Sequence, residues 1–222
     1  MYNIFMRKII LKSLIILFFL TSQANCEENF EPPKIQNSRI KSKNVQAIIP
    51  EATNTLKLRD DAIAFYNLND IKNAQNLLDK IPEHQKNAFD YLLLANIQQD
   101  TGNETESIKL LKKAILLDKN FYKAYFNLGN IYLSNGENLT AISYYKKAIL
   151  KNKDFAYGYY NLGICYARLQ KYKTAKSYFN RAILRKRDVP DFYYNLAFVY
   201  KKLNDEKNAQ KALTVYNNLI NK

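Results

Sequence analysis

The chain has 222 residues and a mass of 26.0 kDa, with 47% hydrophobic and 24% charged residues and a net charge of +14. This balance is that of a globular protein, and five glycines and five prolines exclude collagen-like and Pro/Gly-rich disordered chains. A single histidine excludes paired-histidine metal sites, and two cysteines exclude a disulfide framework or a four-cysteine metal site. The composition therefore argues against several large classes of enzyme.

Residues 1–24 have the three parts of a secretory signal peptide. Arg7 and Lys8 give a positive start, and an apolar segment follows. Small residues, Ser22 and Ala24, then stand at the −3 and −1 positions of a cut after Ala24. The apolar segment is shorter than the roughly 20 residues that a membrane-spanning helix needs. We therefore expect export to a bacterial periplasm, with an uncleaved membrane anchor as the alternative.

Cys26 lies two residues beyond this cut and gives a second interpretation. Bacterial lipoprotein signals place a cysteine directly after a short motif of leucine and small residues, and that cysteine is then lipidated. Here Ala24 fits the motif, whereas Gln23 and Asn25 depart from it. A lipidated Cys26 would attach the chain to a membrane, although one acyl chain alone gives marginal binding.

Residues 25–54 are polar and show no sustained apolar period. They also contain Pro32, Pro33 and Pro50. Such a segment buries too little apolar surface to offset the entropy lost on ordering it. We predict a flexible tether that ends near residue 54.

The rest of the chain repeats with a period of 34 residues. Three strings stand at this step, namely Asn127-Leu128-Gly129, Asn161-Leu162-Gly163 and Asn195-Leu196-Ala197. Each is followed by a second apolar string with helical spacing, which in the first case is Ala141, Tyr145 and Ala148. The period and the two-helix pattern resemble those of the tetratricopeptide repeat family.

This resemblance implies an all-α, right-handed solenoid of antiparallel helix pairs. Each pair alone leaves apolar surface open, so neighbouring pairs must stack to bury it. We predict a degenerate first unit at residues 55–87, whose second helix ends near Pro82. Full repeats are predicted at residues 88–121, 122–155, 156–189 and 190–222, the last acting as its own cap.

In proteins of this family the first helix of each repeat lines a concave groove that binds protein segments. Carried over by position, the resemblance implies a groove formed by Phe89, Leu92, Asn96, Phe126, Asn127, Asn130, Tyr157, Tyr160, Asn161, Ile164, Tyr194, Asn195 and Phe198. Exposed apolar side chains on a concave strip indicate a protein-binding surface. The recurring asparagines have two interpretations: they hydrogen-bond a bound peptide, or they are a general feature of the repeat.

Positive charge is concentrated in the third full repeat, where Asp188 is the only acidic residue. Its basic patch comprises Lys171, Lys173, Lys176, Arg181, Arg185, Lys186 and Arg187. The patch could bind acidic protein, lipid headgroups or nucleic acid, or it could be a solvated outer face. Most of these residues fall on the second helix of the repeat, away from the groove, which favours the solvated face.

The sequence has no Gly-rich phosphate loop and no nucleophile elbow, so we predict neither an enzyme nor a cofactor or metal site. We predict an exported interaction module whose groove binds a peptide segment of an envelope protein. The alternative is a membrane-attached envelope assembly factor, held by Cys26 or an uncleaved leader and aided by the basic third full repeat. Nucleic acid is not an expected partner, and the oligomeric state stays open.

Overall fold

The computed structural model describes residues 45–221, with side chains from residue 54 onward. The predicted signal peptide, Cys26 and the tether up to residue 44 lie outside the described residues. Within residues 45–221 the secondary structure is helical throughout and contains no strand, so the predicted all-α fold is confirmed. The helices are α1 (Val45–Asn67), α2 (Ile71–Asp79), α3 (Ala88–Asp100), α4 (Glu104–Leu117), α5 (Tyr122–Ser134), α6 (Asn138–Lys151), α7 (Ala156–Arg168), α8 (Tyr172–Arg185), α9 (Pro190–Lys202) and α10 (Glu206–Ile220), with a 3-10 turn at Glu83–Gln85.

Consecutive helices form pairs, and each pair packs against the next pair along the chain. In each full pair the first helix is the more deeply buried. Helix α7, for example, buries Tyr159, Leu162 and Cys165 among others, whereas α8 buries only small residues and Phe179. The first helices α3, α5, α7 and α9 therefore form an inner layer, and the second helices α4, α6, α8 and α10 form an outer layer.

The turn between the two helices of a pair places one residue in the left-handed region. Gly102 and Gly136 do so with φ of 81° and 80°, and Gln170 and Asn204 follow at the same step with φ of 58° and 57°. Glycine adopts this conformation freely, whereas a side chain costs about 1–2 kcal/mol. The same sharp turn thus sets each helix pair, at some cost in the third and fourth.

Glycine allows the two helices of the middle repeats to meet closely. A Cβ added at Gly129 would lie 2.5 Å from Cε1 of Tyr145, and one added at Gly163 would lie 2.5 Å from Cε1 of Phe179. Real side chains do not tolerate such a distance, so each glycine makes room for the aromatic ring of the second helix.

The flanking repeats fill the same place with a different pair of residues. One period earlier stand Ala95 and Leu111, and one period later stand Ala197 and Leu213. The chain thus combines glycine with a ring and alanine with leucine, which keeps the volume at the helix crossing similar. One chain therefore shows two solutions to the same packing constraint.

A buried ion pair joins the first unit to the first full repeat. The Asp90 carboxylate is fully buried and accepts hydrogen bonds from Arg59 Nε at 2.7 and 3.0 Å. It also accepts from the backbone N–H of Asn87 at 2.8 Å, and this completes a capping box at the start of α3. Arg59 additionally donates to the Gln85 carbonyl at 2.6 Å. Removing either partner would leave the other charge buried and unpaired.

Helix α1 overlaps the predicted tether, because it begins at Val45 rather than after residue 54. The polar composition and Pro50 favoured a tether there. Extending an existing helix costs much less than starting one, and the packed Ala62 further along α1 anchors that helix. The second helix of this unit, α2, ends at Asp79, three residues before Pro82.

We expect Gly163→Ala to lower the free energy of unfolding by about 1–3 kcal/mol, because its Cβ clashes with the Phe179 ring. Phe179→Leu alone should also destabilise the protein, by about 1 kcal/mol. The double variant recreates the alanine–leucine pair of the flanking repeats and should lose clearly less than the sum. Urea unfolding of all four proteins measures this coupling, and strictly additive losses would contradict the packing argument.

Candidate protein-binding surface

The structure separates the predicted groove residues by exposure. Tyr194 and Phe198 are exposed, with 38% and 45% of their surface accessible. Half-buried positions are Phe89, Asn96, Asn127, Asn130, Tyr157, Asn161 and Ile164. Buried positions are Leu92, Phe126, Tyr160 and Asn195, so these four side chains do not line an accessible groove, contrary to the sequence-based expectation.

The buried aromatics of this set are covered where one repeat meets the next. The Phe126 ring lies 4.9 Å from that of Phe155, the N-cap residue of α7, and the Tyr160 ring lies 4.7 Å from that of Phe192 in α9. Burial also raises the pKa of the Tyr160 hydroxyl above its ordinary value. These rings therefore join one repeat to the next instead of facing a partner.

The recurring asparagines form hydrogen bonds between successive repeats. Nδ2 of Asn127 donates to Oδ1 of Asn96 at 2.7 Å, and Nδ2 of Asn161 donates to Oδ1 of Asn130 at 2.9 Å. The hydroxyl of Tyr145 also donates to Oδ1 of Asn130, at 2.8 Å. We call this series the asparagine ladder. Its amides satisfy each other within the solenoid, which favours the second of the two interpretations.

The last step of the asparagine ladder uses a different acceptor. The position that matches Asn96 and Asn130 is Ile164 in α7, and an isoleucine side chain cannot accept a hydrogen bond. Nδ2 of Asn195 instead donates to the Tyr160 hydroxyl at 2.6 Å. The buried amide is thereby satisfied, because a phenol one turn away replaces the missing carbonyl.

Two cations of the inner layer are partly withdrawn from water. Burial lowers the pKa of the Lys123 ammonium in α5 and that of the Arg168 guanidinium at the end of α7. Arg168 also donates to the Leu133 carbonyl at 2.7 Å, which holds its side chain against α5. Partly desolvated cations interact more strongly with an anionic group than fully hydrated ones.

The end of the solenoid leaves an apolar surface open. Tyr194 occupies the position of the buried Phe126 and Tyr160, and Phe198 occupies that of Ile164. Both are exposed within the described residues. The centre of the Tyr194 ring lies 5.4 Å from that of the Tyr216 ring in α10, so the surface continues onto the last helix. We call this surface the open end.

The predicted basic patch begins at Lys171, the N-cap of α8, and continues along α8 into the loop after it. Four of its side chains lie over tyrosine rings, and these are Lys176 over Tyr200, Arg181 and Arg185 over Tyr159, and Lys186 over Tyr157. Lys171, Lys173 and Arg187 are exposed. None of the seven forms an ion pair with an acid in the described part of the chain. The faces of tyrosine rings, rather than carboxylates, therefore hold four of these seven cationic side chains in place.

Burial raises the pKa of the Cys165 thiol to about 12, and this thiol lies in the core of α7. Such a thiol is not a reactive nucleophile at neutral pH.

Within the range that the structure describes, no group of three or more His, Cys, Asp or Glu side chains could hold a metal ion. None of the helices there is sufficiently long and apolar to cross a membrane.

The paired helices, the 34-residue step and the stacked inner and outer layers define an α-helical repeat solenoid. Three family models of the tetratricopeptide repeat match residues 91–121 and 190–214, 110–143, and 156–188. The chain therefore belongs to the tetratricopeptide repeat family. Solenoids of this family act as protein-interaction scaffolds and are typically not enzymes.

Solved structures of the same fold include two of MamA and one of PilF. A crystal structure of MamA has 23% identity and a TM-score of 0.63, covering 72% of this chain and 94% of that one. MamA from residue 41 to the end, from Desulfovibrio magneticus RS-1, has 16% identity and a TM-score of 0.64, and the match covers 76% of this chain and 96% of that one. PilF of Pseudomonas aeruginosa has 16% identity and a TM-score of 0.70, and the match covers 76% of this chain and 78% of that one. At these identities the likeness shows the fold alone. No curated protein matches the sequence.

We expect Asn161→Ala to lower the free energy of unfolding by about 1–3 kcal/mol, because it removes the donor to Asn130 and to the Tyr145 hydroxyl. Asn217→Ala, on the exposed side of α10, is the matched control and should change stability little. Urea unfolding compares the two. Equal stability of both variants would show that the asparagine ladder does not hold the repeats together.

Proposed function

We propose that this protein is an exported interaction module that binds a segment of another envelope protein on its inner layer and its open end. The observation that carries the proposal is the exposure of Tyr194, at a position that earlier repeats bury, beside Phe198, which is exposed at a position that earlier repeats half-bury. Exposed aromatic side chains on a pre-formed surface lose little conformational entropy on binding. A partner segment would cover them as a following repeat covers Phe126 and Tyr160.

The charges around the open end favour a segment that is both apolar and acidic. Lys201 and Lys202 follow Phe198 on α9, and Nζ of Lys202 lies 5.5 Å from the centre of the Phe198 ring. Arg168 is the next cation along the inner layer, and Asp191 is the acid on the same helix as Phe198. Apolar partner residues would pack on Tyr194 and Phe198, while carboxylates would approach the lysines and Arg168.

Export and an envelope partner are supported by the leader in the sequence. A positive start, a short apolar segment and small residues before the cut after Ala24 have the form of a signal peptide. The partner would then be another protein of the periplasm or of the membranes that border it. Attachment through a lipidated Cys26 or an uncleaved leader is the alternative for the same sequence.

Intact mass spectrometry of the protein from bacterial envelope fractions tests this location. Cleavage after Ala24 predicts a chain that begins at Asn25 without added mass. A chain that begins at a lipid-modified Cys26 would replace soluble export with membrane attachment. A full-length chain recovered from the cytoplasm would contradict export altogether.

We expect Tyr194→Ala combined with Phe198→Ala to abolish capture of a specific envelope protein by the immobilised chain. Helical content and melting temperature should change little, because both side chains are exposed. The matched control is Leu68→Ala combined with Leu139→Ala, which removes two exposed apolar side chains elsewhere. The captured protein is identified by mass spectrometry from envelope extract at low and at high salt.

The comparison decides between two surfaces. A protein that the control retains, that the open-end variant loses and that survives high salt would support the apolar site. A protein that both variants retain and that high salt releases would contradict the proposal, because binding would then depend on charge away from the open end.

A further inference from the structure

The outer layer carries a row of exposed leucines that the inner surface does not use. Leu116, Leu150 and Leu184 stand at the 34-residue step in the last turn of α4, α6 and α8, and 76%, 69% and 68% of their surface is accessible. Single exposed leucines are common on proteins. Three in the same register on the second helices of successive repeats form a repeated feature, which we call the leucine row.

A cation stands three residues before each member of the leucine row. These cations lie over tyrosine rings, with 4.6 Å from Lys113 to Tyr91, 5.2 Å from Lys147 to Tyr144, and 4.7 Å from Arg181 to Tyr159. Residues three apart share one face of a helix, so leucine and cation point to the same side. The rings hold the charges beside the leucines.

The charge is least neutralised at the α6 and α8 end of the row. Lys113 pairs with Glu83, whereas Lys147 and Arg181 form no ion pair within the described residues. Neither α6 nor α8 contains an acidic residue. The nearby acids are Asp154 and Asp188, each in the loop after one of these helices. The local field there is positive, which attracts anionic groups.

Arg185, directly after Leu184, is fixed next to Arg181. Its guanidinium lies 3.9 Å from the centre of the Tyr159 ring, its Nε donates to the Lys153 carbonyl at 2.6 Å, and its Nη1 donates to the Arg181 carbonyl at 2.9 Å. Two arginines four residues apart on one helix repel each other. A phosphate oxygen between them would relieve that repulsion and accept from both guanidinium groups.

We propose that the leucine row is a peripheral membrane-binding surface for an anionic lipid bilayer. The leucines would enter the headgroup region while Lys147, Arg181 and Arg185 bind the lipid phosphates. Cations beside exposed aliphatic side chains match a surface that is anionic outside and apolar beneath. This surface lies on the opposite layer from the groove, so it stands or fails independently of the proposed function.

The chain has no tryptophan, which allows a local reporter of insertion. Leu150→Trp in the full chain should shift its emission to shorter wavelength with vesicles of phosphatidylglycerol and phosphatidylcholine, and not with phosphatidylcholine alone. Leu139→Trp is the matched control, because Leu139 is 72% exposed at the other end of the same helix. It should show no shift. An equal shift at both positions, or none at Leu150→Trp, would overturn the proposal.

Vesicle sedimentation gives the second measurement. Changing Leu116, Leu150 and Leu184 to Gln should reduce the fraction bound to anionic vesicles by at least about tenfold. Lys147→Gln with Arg181→Gln and Arg185→Gln should do the same. The charge-matched control is Lys72→Gln with Lys207→Gln and Lys211→Gln, which should retain most binding.

All variants share the N-terminal segment, so differences in vesicle binding between them report on the leucine row. Equal loss in the control, or a Leu150→Trp shift with polyglutamate but not with vesicles, would reject the bilayer as its ligand.

Discussion

Every repeat of this protein is completed by the repeat that follows it. A helix pair of some thirty residues cannot bury its own apolar face, so the free energy of folding comes from pairs stacked in order. Phe155 at the start of α7 covers Phe126, Phe192 of the next repeat covers Tyr160, and the side-chain amide of Asn161 donates a hydrogen bond back to Asn130. The inner layer, the outer layer and both candidate surfaces follow from this stacking. The open end is the part of the inner layer where Tyr194 and Phe198 are exposed among the described residues.

Much of the fold follows from the sequence because the repeat signal is strong where the packing constraint is strong. The glycine or alanine beside Leu128, Leu162 and Leu196 marks the helix crossing, and the 34-residue step recurs without error over three repeats. The start of α1 could not be predicted in the same way. Residues 45–54 have a polar composition and a proline, and their helical state depends on a helix that continues into a packed segment.

The candidate site could be predicted less well, since position in a repeat does not determine exposure. Tyr160 and Tyr194 stand at one position of the repeat, yet the first is buried and the second is exposed. The difference arises from the neighbour that each one has. The asparagine ladder is visible in the sequence, because in two of its three steps the donor asparagine lies 31 residues after the acceptor asparagine. The leucine row was equally visible as a repeated step, but its exposure could be known only from the packed helices.

The asparagine ladder also gives the solenoid a direction. In every step the later repeat donates and the earlier repeat accepts, and the partner of the donor changes from an amide to a phenol at the third junction. The repeats are therefore not interchangeable parts. The second full repeat could follow a copy of itself, because Asn127 of the later copy could donate to Asn130 of the earlier copy. A fourth repeat moved forward would carry Phe198 at the acceptor position, so the repeat after it would depend on the Tyr194 hydroxyl, as Asn195 depends on that of Tyr160. Recombination or duplication within this chain is thus constrained by the order of its junctions as well as by the length of its period.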